Sequence, residues 1–188
     1  MVSRHAGNNW VPLLGLSLLF LLGAAVDLVT NPTYGAVPQY FVVASLLWGA
    51  CSALWLWKHP STWGEEPKKY LYLVAAVLAG VLLGSLLPFL RGCGPWLALA
   101  GGLVAYGVFE RTRILVTAGA GVAVAGLLSA VVAAPVWGGL MHALAAAICA
   151  FAANRLHLLR HGRRRTVHEE DIDVLDFLQE DLDDSRAS

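Results

Sequence analysis

His142 is the one ionisable side chain that lies well inside a long apolar run of this 188-residue chain. An imidazole titrates at about pH 6.5 when unperturbed, so in that setting it can relay a proton, bind a polar ligand or bridge two helices. Asp27 stands near the end of an earlier apolar run, and Glu110 closes another beside Arg111. His142, Asp27 and Ser129 are therefore the candidate polar intramembrane site. The preferred role for His142 is a hydrogen bond to Ser129, Thr117 or a backbone carbonyl, with Thr112, Thr117, Ser129 and Asn154 able to extend the network. Catalysis has little to work with. The chain contains no paired His/Cys metal spacing, no HExxH, no nucleophile elbow and no phosphate-binding glycine loop. An intramembrane enzyme needs several convergent polar groups. The expectation is no enzyme, with no catalytic residue, cofactor, metal ligand or nucleic-acid partner.

The C-terminal stretch is more legible. Residues 157–165, HLLRHGRRR, are polybasic. They suit anionic lipid headgroups at about 1 kcal/mol per basic residue near the surface, and they serve equally well as a topology anchor. Thr166 follows Arg163 and Arg164 in the pattern of a basophilic kinase site, and a phosphate there would weaken attraction to the membrane. Beyond it, Ile172, Leu175, Leu178 and Leu182 recur at helical spacing, with Val174 and Phe177 widening the stripe among nine acids. This is a short amphipathic acidic helix, marginal alone in water. The face formed by Ile172, Leu175, Phe177, Leu178 and Leu182 is expected to enter a groove on a cytoplasmic partner. Docking onto the chain's own basic loops at 58–69 and 111–113, or a solvated tail, are the alternatives.

The elements that position these residues follow from composition. Hydrophobic residues make up 57 % of the chain and charged ones 14 %, against about 25 % charged in a soluble domain. Six stretches approach the roughly 17–25 residues that cross a bilayer, at 10–30, 37–57, 70–90, 95–109, 114–134 and 135–156, separated by Pro, Gly and charged joints. The fourth is short. Lys and Arg collect in cytoplasmic loops, and an N-terminus inside places every Lys and Arg except Arg91 on that side. The expected fold class is an all-α integral membrane protein. Residues 1–160 form a six-transmembrane-helix bundle, N-in and C-in, and 161–188 form a cytoplasmic tail, basic and then acidic. The formal net charge of zero hides this division. The first segment resembles a signal peptide, yet its apolar run continues through Val29 and favours an uncleaved anchor.

Lipid tails are as apolar as leucine, so helices in a bilayer associate through close packing of small residues. Gly80 and Gly84 form a GxxxG pair; Gly119, Gly121 and Gly126 line the fifth stretch, and Gly138 and Gly139 open the sixth, ahead of an alanine run. These are the expected helix-packing residues. Trp10, Trp48, Trp55, Trp57, Trp63, Trp96 and Trp137, with Tyr40 and Tyr70, fall mostly near span ends and read as interfacial rings; Trp48 lies mid-span. Cys51, Cys93 and Cys149 make no disulfide framework, and Cys93 in its Arg-Gly-Cys-Gly-Pro turn is open to oxidation or pairing between chains. Asn31-Pro32-Thr33-Tyr34 imitates an adaptor signal, but the charge argument places it outside, as a turn. The leading functional expectation is a membrane scaffold or accessory subunit. It packs laterally through Gly/Ala faces with a membrane-protein partner or a second copy, touches membrane lipids, and recruits a cytoplasmic protein through its tail. The alternative is a small-solute or lipid transporter around His142. Which cellular membrane holds it is not encoded.

Overall fold

A computed structural model describes residues 8–30, 36–59, 66–86, 93–131 and 137–161. These residues form six α-helices and no strand: α1 (Trp10–Val29), α2 (Ala36–Lys58), α3 (Pro67–Leu86), α4 (Gly94–Phe109), α5 (Arg113–Val131) and α6 (Trp137–His161). Five are long and apolar enough to cross a membrane. The exception, α4, is just as apolar but has 16 residues, about 24 Å at the α-helical rise. Thr166 and the tail residues Ile172, Leu175, Phe177, Leu178 and Leu182 lie outside the described residues, as do Asn31–Tyr34 and Arg91.

The longest helix, α6, is the spine. It packs most extensively against α1, its distant partner in sequence, while α4 and α5 form a hairpin that also carries α3 on one side and α6 on the other. Helix α2 is fastened mainly to α1, and it meets α3 only sparsely. The core thus runs through α1, α4, α5 and α6, and α2 and α3 bury the smallest share of their own surface.

Glycine sets the closest joints. An ideal Cβ at Gly84 would stand 2.6 Å from the carbonyl carbon of Gly94, and one at Gly80 would stand 2.9 Å from the Ala98 Cβ, so the GxxxG pair is where α3 lies on α4. On the other side of α4, a Cβ at Gly119 would stand 2.8 Å from the Val104 backbone nitrogen. Gly121 faces Ile148 of α6, and Gly126 faces the Trp96 indole. Gly138 and Gly139 turn toward Asp27 and Leu28 of α1. All seven expected packing glycines therefore meet another helix of the same chain.

Between α4 and α5 the chain reverses in three residues. The Arg111 amide donates to the Val108 carbonyl at 3.0 Å and the Thr112 amide to the Gly107 carbonyl at 2.8 Å. That pairing is the Schellman termination, which wants glycine at its left-handed position. Here Arg111 occupies it, with φ 52°. Arg111→Gly is therefore expected to stabilise the protein by about 1 kcal/mol, read as a higher midpoint of thermal aggregation in detergent. A lower midpoint would show that the guanidinium makes a compensating contact.

Three side chains of α2 reach the main chain of α1 and of the residues just before it. Tyr40 Oη donates to the Leu19 carbonyl at 2.6 Å, Trp48 Nε1 to the Pro12 carbonyl at 2.8 Å and Trp55 Nε1 to the Asn8 carbonyl at 3.0 Å. The last has a local cause. Asn8 lies just before the N-cap Asn9, so its carbonyl stands outside the ladder of α1 and receives no helical amide. Trp55 supplies the missing donor.

Candidate functional site

Among the described residues the hydrogen bonds from side chain to side chain gather at one end of the bundle. Arg160 Nη1 donates to Asn8 Oδ1, Tyr106 Oη to Asn9 Oδ1 at 2.7 Å and Tyr70 Oη to Glu110 Oε1 at 2.8 Å. The Thr112 hydroxyl donates to the Glu110 carbonyl at 3.0 Å. Trp10 packs edge-on against His157, with centroids 5.0 Å apart, and Trp55 stacks on His59 at 4.0 Å. Together these contacts join the start of α1, the end of α2, the start of α3, the α4–α5 turn and the end of α6. Every Lys and Arg among the described residues (Lys58, Lys68, Lys69, Arg111, Arg113, Arg155 and Arg160) belongs to those same segments. Asp27 lies at the opposite end, against Gly138.

His142 is buried, with 4 % of its surface exposed, inside an aromatic cage. Its ring centroid is 4.3 Å from Trp96, 5.5 Å from Phe41 and 6.4 Å from Phe20. Nδ1 lies 2.7 Å from the Gly138 carbonyl one turn back in its own helix, and Nε2 has no hydrogen-bond partner. The expected partners Ser129 and Thr117 take no part; the Thr117 hydroxyl turns to the Arg113 and Ile114 carbonyls of its own helix. Asp27 reaches the same turn of α6 through Gly138, so two of the three proposed polar residues converge and Ser129 does not. A bridge between α1 and α6 does exist at a place that no sequence pattern marks: Ser17 Oγ donates to the Ala146 carbonyl at 2.8 Å.

Burying a polar atom without a partner costs about 1–3 kcal/mol. Leucine at 142 would remove the orphaned nitrogen and keep most of the packing volume. The Gly138 carbonyl would retain the helical amide of residue 142 as its donor. His142→Leu is therefore expected to leave stability unchanged or raise it by about 1 kcal/mol, measured by thermal unfolding in detergent. A fall of several degrees would show that Nε2 has a partner in the membrane.

A second place combines space with unmet polar atoms. Between α2 and α3, backed by α1 and α4, lies a cleft of about 220 Å³ walled by Leu13, Trp48, Leu73, Val77, Leu99 and Leu103. Asn9 and Ser45 also line it, 1 % and 2 % exposed. Asn9 Nδ2 and Ser45 Oγ have no hydrogen-bond partner. Although Asn9 precedes the first turn of α1, its side chain does not cap that helix. A larger groove between α5 and α6, about 500 Å³, is shallow. Thr117 on its wall is bonded to its own helix, and Arg155 lies over the Phe151 ring at 5.2 Å. The cleft is the better-built site.

Two aromatic and thiol expectations change. Trp96 is no interfacial ring: it is 1 % exposed and its Nε1 donates to the Val122 carbonyl at 2.9 Å. Position 96, in the first turn of α4, lies against α5 rather than at the headgroups, and Gly126 makes room there for the indole. Cys93, expected to be open to oxidation or pairing, is 4 % exposed. Burial pushes its thiol up, against a smaller downward pull from a backbone hydrogen bond. Since the thiolate is the reactive form, Cys93 is expected to resist maleimide at pH 7.5 and to react faster as the pH rises toward 10. Rapid labelling at pH 7.5 in folded protein would contradict that burial.

Among the described residues no three His, Cys, Asp or Glu side chains gather to hold a metal ion. Compared with protein-family models, curated proteins and solved structures, the chain matches none.

Proposed function

We propose that this chain is a non-enzymatic multi-pass membrane scaffold or accessory subunit, with both termini in the cytoplasm, that recruits a cytoplasmic partner through its acidic C-terminal segment. The observation that carries this reading is the gathering of every described Lys and Arg at one end of the bundle. Positive charge is retained on the cytoplasmic side. On that reading all six helices cross, the 16-residue α4 with local thinning of the bilayer. The foot of α6 then delivers residues 162–188 to the cytoplasm beside a rigid basic platform. An acidic, amphipathic segment on such a platform is suited to a groove on a soluble protein. The glycines are taken up inside the chain, so lateral association falls to the exposed apolar sides of α2 and α3, among them Val43, Leu47, Leu54, Leu71 and Leu83.

The transporter alternative gains nothing from the geometry. His142 is enclosed by rings, and neither principal cavity is lined by it. Crosslinking in native membranes, followed by purification of the full chain and of a chain ending at residue 162, tests the proposal. The full chain is expected to bring down a cytoplasmic protein that the shortened chain does not. Identical partner sets would overturn it, as would labelling of a Ser188→Cys protein from the side opposite the cytoplasm.

A further inference from the structure

The run HLLRHGRRR, read along the chain for its charge, also holds a paired histidine spacing. His157 and His161 stand one turn apart at the foot of α6, with ring centroids 4.3 Å apart and planes 27° from parallel. Residues four apart on a helix are neighbours on one face, and two imidazoles so placed can share a metal ion. We propose that His157 and His161 form a two-nitrogen site for a divalent transition metal of the copper, nickel and zinc class, with Cu²⁺ held most tightly. The site goes beyond the scaffold reading and is independent of which side of the membrane holds the termini.

Both rings are prepared for the role. His161 Nδ1 lies 3.2 Å from the His157 carbonyl oxygen. Facing an atom that only accepts, that nitrogen carries the proton, which leaves the Nε2 lone pair for a metal. A ring N–H given to a backbone carbonyl is the usual way a metal-bound histidine is oriented. Trp10 packs edge-on against the other ring, so His157 is held from the α1 side. His161 is exposed and His157 half-buried, so the pair opens to solvent. Two nitrogens, each about 2.0–2.1 Å from one ion, stand roughly 3 Å apart. Rings already stacked reach that separation by tilting their Nε2 edges together. The surroundings decide which ion suits. Arg160 is turned to Asn8 and Arg155 to the Phe151 ring. Their charges still oppose a dication over the screening length of about 8 Å, so bonding strength rather than charge must hold it. Imidazole favours Cu²⁺ over Ni²⁺ and Zn²⁺ in that respect, whereas Mg²⁺ and Ca²⁺ want oxygen ligands. Among the described residues no third His, Cys, Asp or Glu joins the pair, and water completes the coordination sphere.

The test uses the full-length protein, purified without a polyhistidine tag, in nanodiscs of zwitterionic lipid. It is titrated with Cu²⁺ alone and followed by electron paramagnetic resonance. The first equivalent is expected to give an axial signal split by two imidazole nitrogens, and a large excess of Mg²⁺ should not displace it. Loss of an outer partner of a metal ligand already costs about 10–100-fold in affinity, so loss of a ligand itself is expected to cost about tenfold or more. His161 is exposed, so His161→Gln reads that loss without disturbing the packing, and His157→Gln should match it. Adding Leu159→His to His161→Gln keeps the number of histidines but places the second ring off the shared face, and should not restore binding. His59→Gln is the control, because that ring lies at the end of α2, stacked on Trp55. It should leave the signal unchanged. A first equivalent that survives His157→Gln and His161→Gln together, or that His59→Gln weakens as strongly, would place the copper elsewhere and overturn the site. Binding restored by Leu159→His would show that histidine number rather than spacing holds the ion, and would overturn the chelate.

Discussion

Gly84→Leu is expected to prevent the protein from reaching a monodisperse folded state in detergent. A Cβ at this position would lie 2.6 Å from the carbonyl carbon of Gly94, and 2.9 Å from both the Gly94 Cα and the Pro95 nitrogen. These are backbone atoms, which no rotamer change can remove. Helix α4 has nowhere to retreat. On its far side a Cβ at Gly119 would already stand 3.0 Å from the Ala100 carbonyl oxygen, and one at Gly107 would stand 2.7 Å from the Val116 nitrogen. Overpacking among yielding side chains costs about 1–3 kcal/mol. With backbone on both sides, about 3 kcal/mol or more is expected here. Size-exclusion chromatography and thermal unfolding read it directly, with Gly101→Leu as the control. A Gly84→Leu protein as stable as the control would mean that α3 and α4 do not approach at this point. Any loss of transport in such a variant, or in Gly80→Leu, would likewise report a disturbed bundle rather than a site.

Trp96→Ala carries the second large effect. The indole touches α1 through Phe20, with centroids 5.2 Å apart, α6 through His142 at 4.3 Å, and α5 through its hydrogen bond to Val122. Removing it opens a cavity at the meeting point of four helices. In soluble cores Phe or Trp to Ala costs about 3–5 kcal/mol. Part of that cost is transfer from water, and it largely disappears when the unfolded reference is also in lipid. The lost dispersion contacts remain, so the lower end, about 3 kcal/mol, is expected. Reversible unfolding in mixed micelles checks it. Trp96→Phe should recover much of the loss by keeping the ring contacts. If Trp96→Ala unfolds with the native midpoint, the aromatic cage does not hold the core.

Helical character was legible because apolar runs broken by proline, glycine and charge leave few alternatives for a chain with 14 % charged residues. The sorting of Lys and Arg was legible too, since charge must be counted only along the chain. Pairing was not. Gly80 and Gly84 announce a close approach without naming the helix approached, and the answer depended on Gly94, whose own lack of a side chain looks like turn punctuation in one dimension. Trp96 read as interfacial because sequence gives depth along a helix but not direction around it. Asn9 was invisible for a related reason: its interest comes from Tyr106, 97 residues away, occupying one end of the amide. His142 stands out along the chain as the ionisable group deep in an apolar run, whereas its neighbours are four aromatic and glycine positions on three other helices that no local pattern connects.

The pairing of α1 with α6 has a consequence for biosynthesis. Of the six described helices, the earliest made has its main neighbour in the latest made. Until then α1 is accompanied by α2, whose Tyr40, Trp48 and Trp55 clasp its main chain. Ser17 and Gly23 must meanwhile wait among lipids or an insertase for Ala146 and His142 to be made. The bundle therefore closes only once α6 has been made, and a ribosome stalled before α6 leaves an early hairpin with its principal seam open.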